Sequence, residues 1–339
     1  MSRLTQPRIA PHRIAQRGIP QGKITLTRRE PAWLRRGAVL GLAATASLTL
    51  AACGSGSSNP LSPSSSASAS GGSSVVIGSG NFPESELIGE IYAEALAAKG
   101  VKVTRKFNIG AREVYYPQVV KGSITIIPEY NGALLTTSVD PTSKAASTAD
   151  VNAALTAKLP SSVEILSTSS AQDKDSITVT SATAQKDHLT SISDLAPYAK
   201  NAVIGGPPEF RTRADGIIGL KNVYGLTFKS FDPLDEAGPI TFAALQSGKV
   251  LAADVFTTTP QIQIDNFVVL QDPKNLFAAQ NVVPLVYKAG VNPTIISTLN
   301  AISAKLSTTA LLQMNTALSV QHASYAAVAG GFLSAEGLG

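Results

Sequence analysis

Short apolar blocks, separated by polar stretches, divide residues 74–339 into predicted strands and helices that follow one another in turn. Ser74–Gly78 is an apolar run that ends at a glycine, which is typical of a buried strand. A helix is predicted from Pro83, because proline suits the first helical position and apolar residues recur at helical spacing from Leu87 to Ala95. The same patterns predict a strand at 101–106, a weaker helix at 111–121 that contains Pro117, and a strand at 124–127.

This alternation is typical of an α/β fold with a parallel sheet, in which ligands bind at the carboxyl ends of the strands. The loops 79–82 and 128–131 follow predicted strands and are therefore the first candidates for a binding site. Further along, the pattern predicts strands at 176–180, 201–204 and 250–256, and helices at 215–224, 241–247 and 293–318.

The N-terminal part of the chain has the pattern of a lipoprotein signal peptide at 1–52. An uncharged apolar segment at 37–52 follows two arginines, is too short to span a bilayer comfortably, and ends in small residues directly before Cys53. Because Cys53 is the only cysteine in 339 residues, we expect cleavage before it and attachment of a lipid to its sulfur. The protein would then be anchored on the extracytoplasmic face of a cell membrane. A plain secretory signal with a chance cysteine, or a buried apolar helix, is the alternative.

Residues 53–73 are dominated by serine and glycine, so we expect a flexible linker between the acylated cysteine and a folded body. That body, residues 74–339, is long enough for two domains of ordinary size. Nine of the 28 basic residues and one of the 23 acidic residues lie in 1–52, which leaves the rest of the chain a formal net charge of about −3. We expect no nucleic-acid partner, because such binding needs a basic face.

The predicted body has no sequence pattern of a catalytic or metal site. Its histidines are His188 and His322, it has no free cysteine once Cys53 is acylated, and it has neither a GxSxG nor an HExxH motif. We therefore expect no enzymatic activity, no cofactor and no metal. An envelope structural protein is expected to show repeats or low-complexity sequence in its body, but in this chain the low-complexity sequence ends with the linker. A solute-binding protein remains.

Three blocks of sequence carry a family resemblance. They are Ile-Gly-Ser-Gly-Asn-Phe-Pro-Glu at 77–84, Pro-Glu-Tyr-Asn-Gly at 128–132, and a block at 209–226 that begins Glu-Phe and ends Tyr-Gly-Leu. Their order and spacing resemble those of the substrate-binding proteins of osmoprotectant ABC importers, the ProX/OpuC type that bind glycine betaine, choline or carnitine. The resemblance implies a type II periplasmic-binding-protein fold, with two α/β lobes joined by two crossing strands. Lobe one would be 74–173 plus 257–339, and lobe two 174–256.

The resemblance also implies a binding site between the lobes. The family holds a quaternary ammonium in a cage of tyrosines, and the matching positions here are Tyr130, Ser176, Phe242 and Phe256, which implies a three-sided cage. The positions that match the family's carboxylate-binding residues are Gly80, Ala133 and Arg213, so only Arg213 can pair with a carboxylate. Asn81, beside Gly80, completes the implied set. This reduced set implies weak betaine binding, and it predicts that Arg213→Ala weakens betaine and carnitine more than choline.

Each site residue has an ordinary structural alternative. Tyr130 could pack over a sheet edge, Phe242 and Phe256 could be core aromatics, and Arg213 could form a surface ion pair. Arg112 could replace a lost carboxylate partner, but we expect a solvated arginine there.

The resemblance thus implies a lipid-anchored solute-binding protein that takes up quaternary-amine osmoprotectants between its lobes. It would deliver them to a membrane permease driven by a cytoplasmic ATPase, and we expect it to act as a monomer. The alternative is the same fold and transport role with a different small solute that is not a quaternary amine.

Overall fold

A computed structural model describes residues 74–339 of the chain, which form an α/β body with two five-stranded sheets. The predicted signal peptide, Cys53 and the predicted linker lie outside the described residues. The first elements are β1 (Ser74–Gly78), α1 (Pro83–Ala98), β2 (Lys102–Lys106), α2 (Arg112–Val120), β3 (Ile126–Tyr130), α3 (Asn131–Leu134), α4 (Thr148–Lys158) and β4 (Val163–Ile165). The middle elements are β5 (Ile177–Thr180), α5 (Ser181–Asp187), β6 (Val203–Gly206), α6 (Ile217–Tyr224), β7 (Ser230–Pro233), α7 (Pro239–Gln246), β8 (Ala252–Asp254), α8 (Gln261–Ile264) and β9 (Phe267–Val269). The last are β10 (Val282–Tyr287), α9 (Pro293–Lys305), α10 (Thr308–Ser319) and α11 (Tyr325–Ala335).

The first lobe is built on a sheet with the strand order β2-β1-β3-β10-β4. β1 is parallel to β2 and β3, with Val76 opposite Thr104 and Ile77 opposite Ile126. β10 comes from the far end of the chain and runs antiparallel to both β3 and β4. The parallel part of the sheet is therefore as predicted, while β10 makes the whole sheet mixed.

Helix α1 covers this sheet and has the apolar face that its sequence predicted. Pro83 occupies the first turn, and Leu87, Ile88 and Ile91 are completely buried. They pack in one core with apolar residues of β1, α9 and α11. Because α1 is fixed on both sides, the loop 79–82 that precedes it is held at the carboxyl edge of the sheet.

The second lobe is built on a sheet with the strand order β7-β6-β8-β5-β9. β6 is parallel to β7 and β8, whereas β5 is antiparallel to both of its neighbours. A separate apolar core lies beneath it, formed by residues such as Ile177, Ile204 and Phe210. A further apolar cluster, with Phe242, Leu245 and Ala253, packs against the same sheet. Each sheet thus has its own apolar clusters, which is typical of two α/β lobes.

Two stretches of chain cross between the lobes, and they run antiparallel where Gln172 pairs with Asn281. The first crossing lies at 171–176 and includes the position of the boundary predicted after residue 173. The second lies at 270–281, later than the boundary predicted after residue 256. The reason is β9, which still pairs with β5 in the second sheet, Val179 lying opposite Val268.

Among residues 74–339, no single helix has the length and apolar content needed to cross a bilayer; α9 and α10 meet those criteria only together, and they are bent by 91° where they join.

Candidate functional site

The cleft between the lobes contains a cavity of about 440 Å³, counted to its open mouth. The first lobe contributes the loop after β1, the start of α2 and the end of β3. The second lobe contributes Arg213 before α6, Glu236 in the loop after β7, and Phe256, two residues after the end of β8. The cavity is lined by Asn81, Phe82, Ala111, Arg112, Tyr115, Tyr130, Ala133, Asp173, Asp175, Arg213, Glu236, Phe256 and Gln280.

Three aromatic rings lie next to one another on this lining. The ring centroid of Phe82 is 5.8 Å from that of Tyr130 and 5.4 Å from that of Phe256, with tilted ring planes. Gly80 makes room for this arrangement, because a Cβ atom there would lie only 3.0 Å from the Phe82 ring. The Gly80 amide also donates to Ser85 Oγ at 2.9 Å, which fixes the loop. The group of Phe82, Tyr130 and Phe256 is called the ring cluster below.

Tyr130 is held in place by a buried polar group behind the ring cluster. Its hydroxyl donates to Glu84 Oε1 at 2.7 Å, and Glu84 Oε2 accepts from the Thr258 hydroxyl at 2.6 Å and from Asn315 Nδ2 at 2.5 Å. Burial raises the pKa of Glu84, and burial together with the Glu84 charge raises the pKa of Tyr130 well above its usual value. These contacts orient the Tyr130 ring and use all of its hydrogen-bonding capacity as a donor.

Arg112 is buried, contrary to the solvated position expected for it. Its Nε lies 3.0 Å from Glu129 Oε1 and its Nη2 lies 3.0 Å from Glu129 Oε2, and the Tyr115 hydroxyl donates to the same carboxylate at 2.9 Å. Glu129 is on β3 and is completely buried, so an uncompensated charge there would be costly. Arg112 therefore neutralises a carboxylate of its own lobe.

Arg213 reaches across the cleft to the first lobe. Its Nε donates to Glu113 Oε1 at 3.0 Å and its Nη2 donates to Glu113 Oε2 at 3.1 Å. Burial lowers the pKa of Arg213, but the hydrogen bonds and charge of Glu113 outweigh it and leave the pKa raised. A second contact joins the lobes nearby, where the Thr136 hydroxyl donates to Asp215 Oδ2 at 2.7 Å.

The remaining charged groups of the cavity are carboxyls that form no ion pair among residues 74–339, although the Arg213 charge lowers the pKa of Glu236 to some extent. Asp175 Oδ2 accepts from Gln280 Nε2 at 2.7 Å, and Asp173 Oδ1 accepts from the Thr258 amide at 2.9 Å. Burial, followed by the Glu84 charge, raises the pKa of Asp173 well above its usual value. Burial, followed by the hydrogen bond and charge of Glu209, raises the pKa of Glu236 to about 8. Raised pKa values show that negative charge here is poorly compensated.

Asp254, at the end of β8, belongs to the same acidic region. It is 1% exposed, and neither of its carboxyl oxygens has a hydrogen-bond partner. Burial, followed by the charge of Asp175, raises its pKa well above the usual value. Asp254 is not among the residues that line the cavity, so it contributes to the acidic character of the region as a buried group without contacting the cavity.

The structure brings some of the predicted site residues together and leaves others apart. Tyr130, Phe256, Arg213 and Asn81 all line the cavity. Gly80 acts through the position of Phe82 and is not part of the lining.

Ser176 does not face the cavity. It is buried, its hydroxyl donates to the Val255 carbonyl at 2.5 Å, and it lies beside Thr178 Oγ1 at 3.1 Å. Ser176 therefore stabilises the first crossing through this hydrogen bond, and its position does not form a side of the proposed cage.

Phe242 packs against Phe267, with centroids 6.1 Å apart, and lines a neighbouring cavity instead. The third ring of the cluster is Phe82, which is not among the site residues predicted from the sequence. The loop 79–82 that contains it was predicted as part of a binding site, and this is the sequence signal that could have identified Phe82.

The neighbouring cavity, called the outer cavity below, has a volume of about 1,090 Å³, again counted to its mouth. It shares Phe82, Asp173, Glu236 and Phe256 with the cleft cavity. Its other walls come from the start of α7, the segment 258–261, and the end of α10 with the start of α11.

Comparison with known proteins gives a consistent picture. The sequence model of one family, described as "Substrate binding domain of ABC-type glycine betaine transport system", matches residues 73–335. The chain is 26% identical over 278 residues to the glycine betaine-binding protein YehZ of Escherichia coli K12, a match that covers 78% of this chain and 91% of that protein. It is 25% identical over 282 residues to the ergothioneine transport permease/ergothioneine binding protein EgtU of Helicobacter pylori G27, covering 78% of this chain but only 48% of that longer protein.

Solved structures share the fold. One described as a glycine betaine/carnitine/choline ABC transporter has a TM-score of 0.59 and 23% sequence identity, and the match covers 78% of this chain and 99% of that one. The type II fold with two lobes, expected from the resemblance, is confirmed.

Proposed function

Since the chain belongs to the family of substrate-binding domains of ABC-type glycine betaine transport systems, we propose that it binds a small quaternary amine in the cleft cavity and delivers it to the permease of an ABC importer. As a member of this family it is a solute-binding protein and not an enzyme. The solute itself, the anchoring and the transport partners are the proposed part.

The ring cluster is the observation that carries the proposal. A quaternary ammonium has no N–H to donate, so a protein holds it with ring faces and negative charge. Phe82, Tyr130 and Phe256 supply three adjacent rings, two from the first lobe and one from the second. At about 0.5–2 kcal/mol for each ring, they account for a part of the roughly 8 kcal/mol of a micromolar complex. The rest has to come from charge and from closure of the lobes.

The charge of the cavity favours a cation. Both arginines on the lining are paired, Arg112 with Glu129 and Arg213 with Glu113, and neither presents a free cation to a ligand. Asp173, Asp175 and Glu236 have no such partner among the described residues. A bound cation compensates these carboxyls, whereas a carboxylate on the ligand has to compete with Glu113 for Arg213. Choline is therefore favoured over glycine betaine as the ligand.

Calorimetric titration with choline, glycine betaine and carnitine tests this function. The matched control is 3,3-dimethylbutan-1-ol, which has the shape of choline with carbon in place of the nitrogen. We expect choline to bind and the alcohol to bind at least about tenfold more weakly, because only choline gains from rings and carboxyls. Equal binding of choline and the alcohol, or binding of none of the three quaternary amines, contradicts a quaternary-amine site.

We also propose that Cys53 anchors the protein to the outer face of a cell membrane. The small residues before Cys53 and the serine-rich stretch after it support this. In cells, replacement of Cys53 by Ser is expected to move the protein from the membrane fraction to the soluble fraction and to abolish labelling with a radioactive fatty acid. A Ser55→Ala control should change neither. A permease and an ATPase are the partners that the family description supports, and a monomer is proposed as the binding unit.

A further inference from the structure

The outer cavity has walls from both lobes but is not the cavity assigned to the quaternary amine. Leu318, Ala323 and Tyr325 come from the first lobe, and Pro239 and Phe242 come from the second. These apolar side chains line an open space of about 1,090 Å³, solvent at its mouth included, compared with about 440 Å³ counted in the same way for the cleft cavity. The outer cavity therefore offers more room than the cleft cavity, and its mostly apolar lining with a few polar groups is typical of a ligand pocket.

The ring pair Phe82–Phe256 belongs to both cavities. The two rings are in contact, with centroids 5.4 Å apart, and both line each cavity. They therefore form part of a shared wall and offer aromatic surface to each side. Ring surface on the outer side can hold an aromatic group by stacking or a cation by its charge.

The polar groups of the outer cavity differ in what they can still bind. Glu84, Thr258 and Asn315 are bonded to one another, so they have little left for a ligand. Ser319 donates to the Asn315 carbonyl of its own helix at 2.8 Å. The carboxyls of Asp173 and Glu236, by contrast, form no ion pair among residues 74–339. What remains for a ligand is apolar wall, ring surface and negative charge.

We propose that the outer cavity is a second binding site, which takes an organic cation with an aromatic or apolar body. Its body lies against Phe242, Leu318 and Tyr325, and its charge lies near Glu236 and Asp173. The two ligands occupy different cavities, but the cavities share Asp173 and Glu236, so the second site draws on two of the carboxyls that also serve the proposed quaternary-amine function.

Titration of the full chain with benzyltrimethylammonium in the presence of saturating choline tests this site. The experiment is run at pH 9, above the pKa of about 8 that burial and Glu209 give Glu236. Ser319→Trp fills the outer cavity from an exposed position on α10, and Ser334→Trp, exposed on α11 and outside the lining, is the matched control. We expect one equivalent to bind the unmodified chain and the control, and Ser319→Trp to bind at least about tenfold more weakly, because the bulk of one aromatic group excludes another.

A second variant guards against a folding defect in the first. Phe242→Leu keeps an apolar side chain but removes a ring, and we expect a loss of roughly threefold or more with choline binding unchanged. Displacement of benzyltrimethylammonium by choline, or unchanged binding in Ser319→Trp, overturns the second site. If choline itself does not bind, the quaternary-amine function fails, and direct titration of the two Trp variants still decides the second site.

Discussion

Arg213 of the second lobe and Glu113 of the first are joined by two parallel hydrogen bonds, of 3.0 and 3.1 Å, across the mouth of the cleft. The Nε and Nη2 groups of Arg213, which could donate to a ligand carboxylate, therefore already donate to Glu113. This changes the role expected for Arg213 from a selector of carboxylate ligands to a contact that holds the lobes together.

Arg213→Ala is accordingly expected to weaken choline and glycine betaine binding by a similar factor, roughly twofold to fivefold, since a partly exposed ion pair contributes up to about 1 kcal/mol. Glu113→Gln should have a similar or smaller effect, because Arg213 Nη2 also lies 3.7 Å from Glu209 Oε1, and the double variant should lose little more than Arg213→Ala alone. Calorimetry on the four proteins measures the coupling. A loss confined to glycine betaine would restore the carboxylate-binding role.

The ring of Phe82 is expected to contribute to cation binding, although Phe82 is not among the site residues predicted from the sequence. Phe82→Leu keeps the apolar bulk and removes the ring charge distribution, so choline should bind about threefold to thirtyfold more weakly. The neutral analogue 3,3-dimethylbutan-1-ol should be almost unaffected. Phe231→Leu, in a ring pair with Phe210 away from the cavity, is the control. Equal losses for both ligands would mean that Phe82 acts only through packing.

Choline affinity is expected to rise with pH around the pKa of Glu236. Burial and Glu209 place that pKa at about 8, so Glu236 becomes charged between pH 7 and pH 9. One added negative charge in a partly solvated cleft should tighten cation binding by roughly threefold to tenfold. Glu236→Gln should bind choline with little change over the same range. A flat profile for the unmodified protein would place the cation away from Glu236.

The buried carboxyl of Asp254 should make the folded state less stable as the pH rises. Its folded pKa is raised above the ordinary value of 3.8 by burial and by Asp175, so the folded state holds the proton more tightly than the unfolded state does. The stabilisation is complete below the unfolded pKa and is lost as the pH rises toward the folded one.

Asp254→Asn removes this titration. Between pH 5 and pH 8 the free energy of unfolding of the unmodified protein should fall, relative to that of the variant, by at least about 1.4 kcal/mol, the equivalent of one pKa unit. Denaturant titrations at both pH values measure it, with Asp265→Asn as the control. If the free energy of unfolding changed equally with pH in the unmodified protein and in Asp254→Asn, the negative charge of Asp254 would have to be compensated in the folded state.

Ser176→Tyr should destabilise the protein and should not complete the cage. Ser176 is buried and bonded to the Val255 carbonyl, so a larger side chain overpacks the crossing at a cost of about 1–3 kcal/mol. Thermal unfolding and choline titration together check this. Tighter choline binding with unchanged stability would show that the side chain turns toward the cavity.

The local parts of the fold could be predicted from the sequence because they depend on nearby residues. β1 and the start of α1 at Pro83 follow from a short apolar run and from helical spacing. β10 was missed because Pro284 interrupts its apolar run, and proline is normally excluded from central strands. In the structure Pro284 lies opposite Pro128, so the pairing depends on a partner more than a hundred residues away.

The site was predicted in part for the same reason. Tyr130 lies in a predicted loop directly after a strand, and Phe256 ends another predicted strand. These strands belong to the two different sheets, so both residues lie at strand ends that face the cleft from opposite lobes. Phe82 becomes a cage residue only because Gly80 leaves space for its ring, and Ser176 was misplaced by assuming that a matching position implies a matching orientation. The pairing of Arg213 with Glu113 depends on how the two lobes pack against each other. A local sequence pattern cannot predict such a contact between lobes.

The positions of Asp175 and Gln280 separate two tasks mechanically. These residues belong to the two crossings and are joined by two hydrogen bonds of 2.7 Å. The Asp175 amide donates to Gln280 Oε1, and Gln280 Nε2 donates to Asp175 Oδ2. Arg213 and Glu113, by contrast, belong to opposite lobes and join them directly. Substitution of Asp175 is therefore expected to change which ligand charge is accepted, whereas substitution of Arg213 or Glu113 is expected to change how firmly the lobes associate around any ligand.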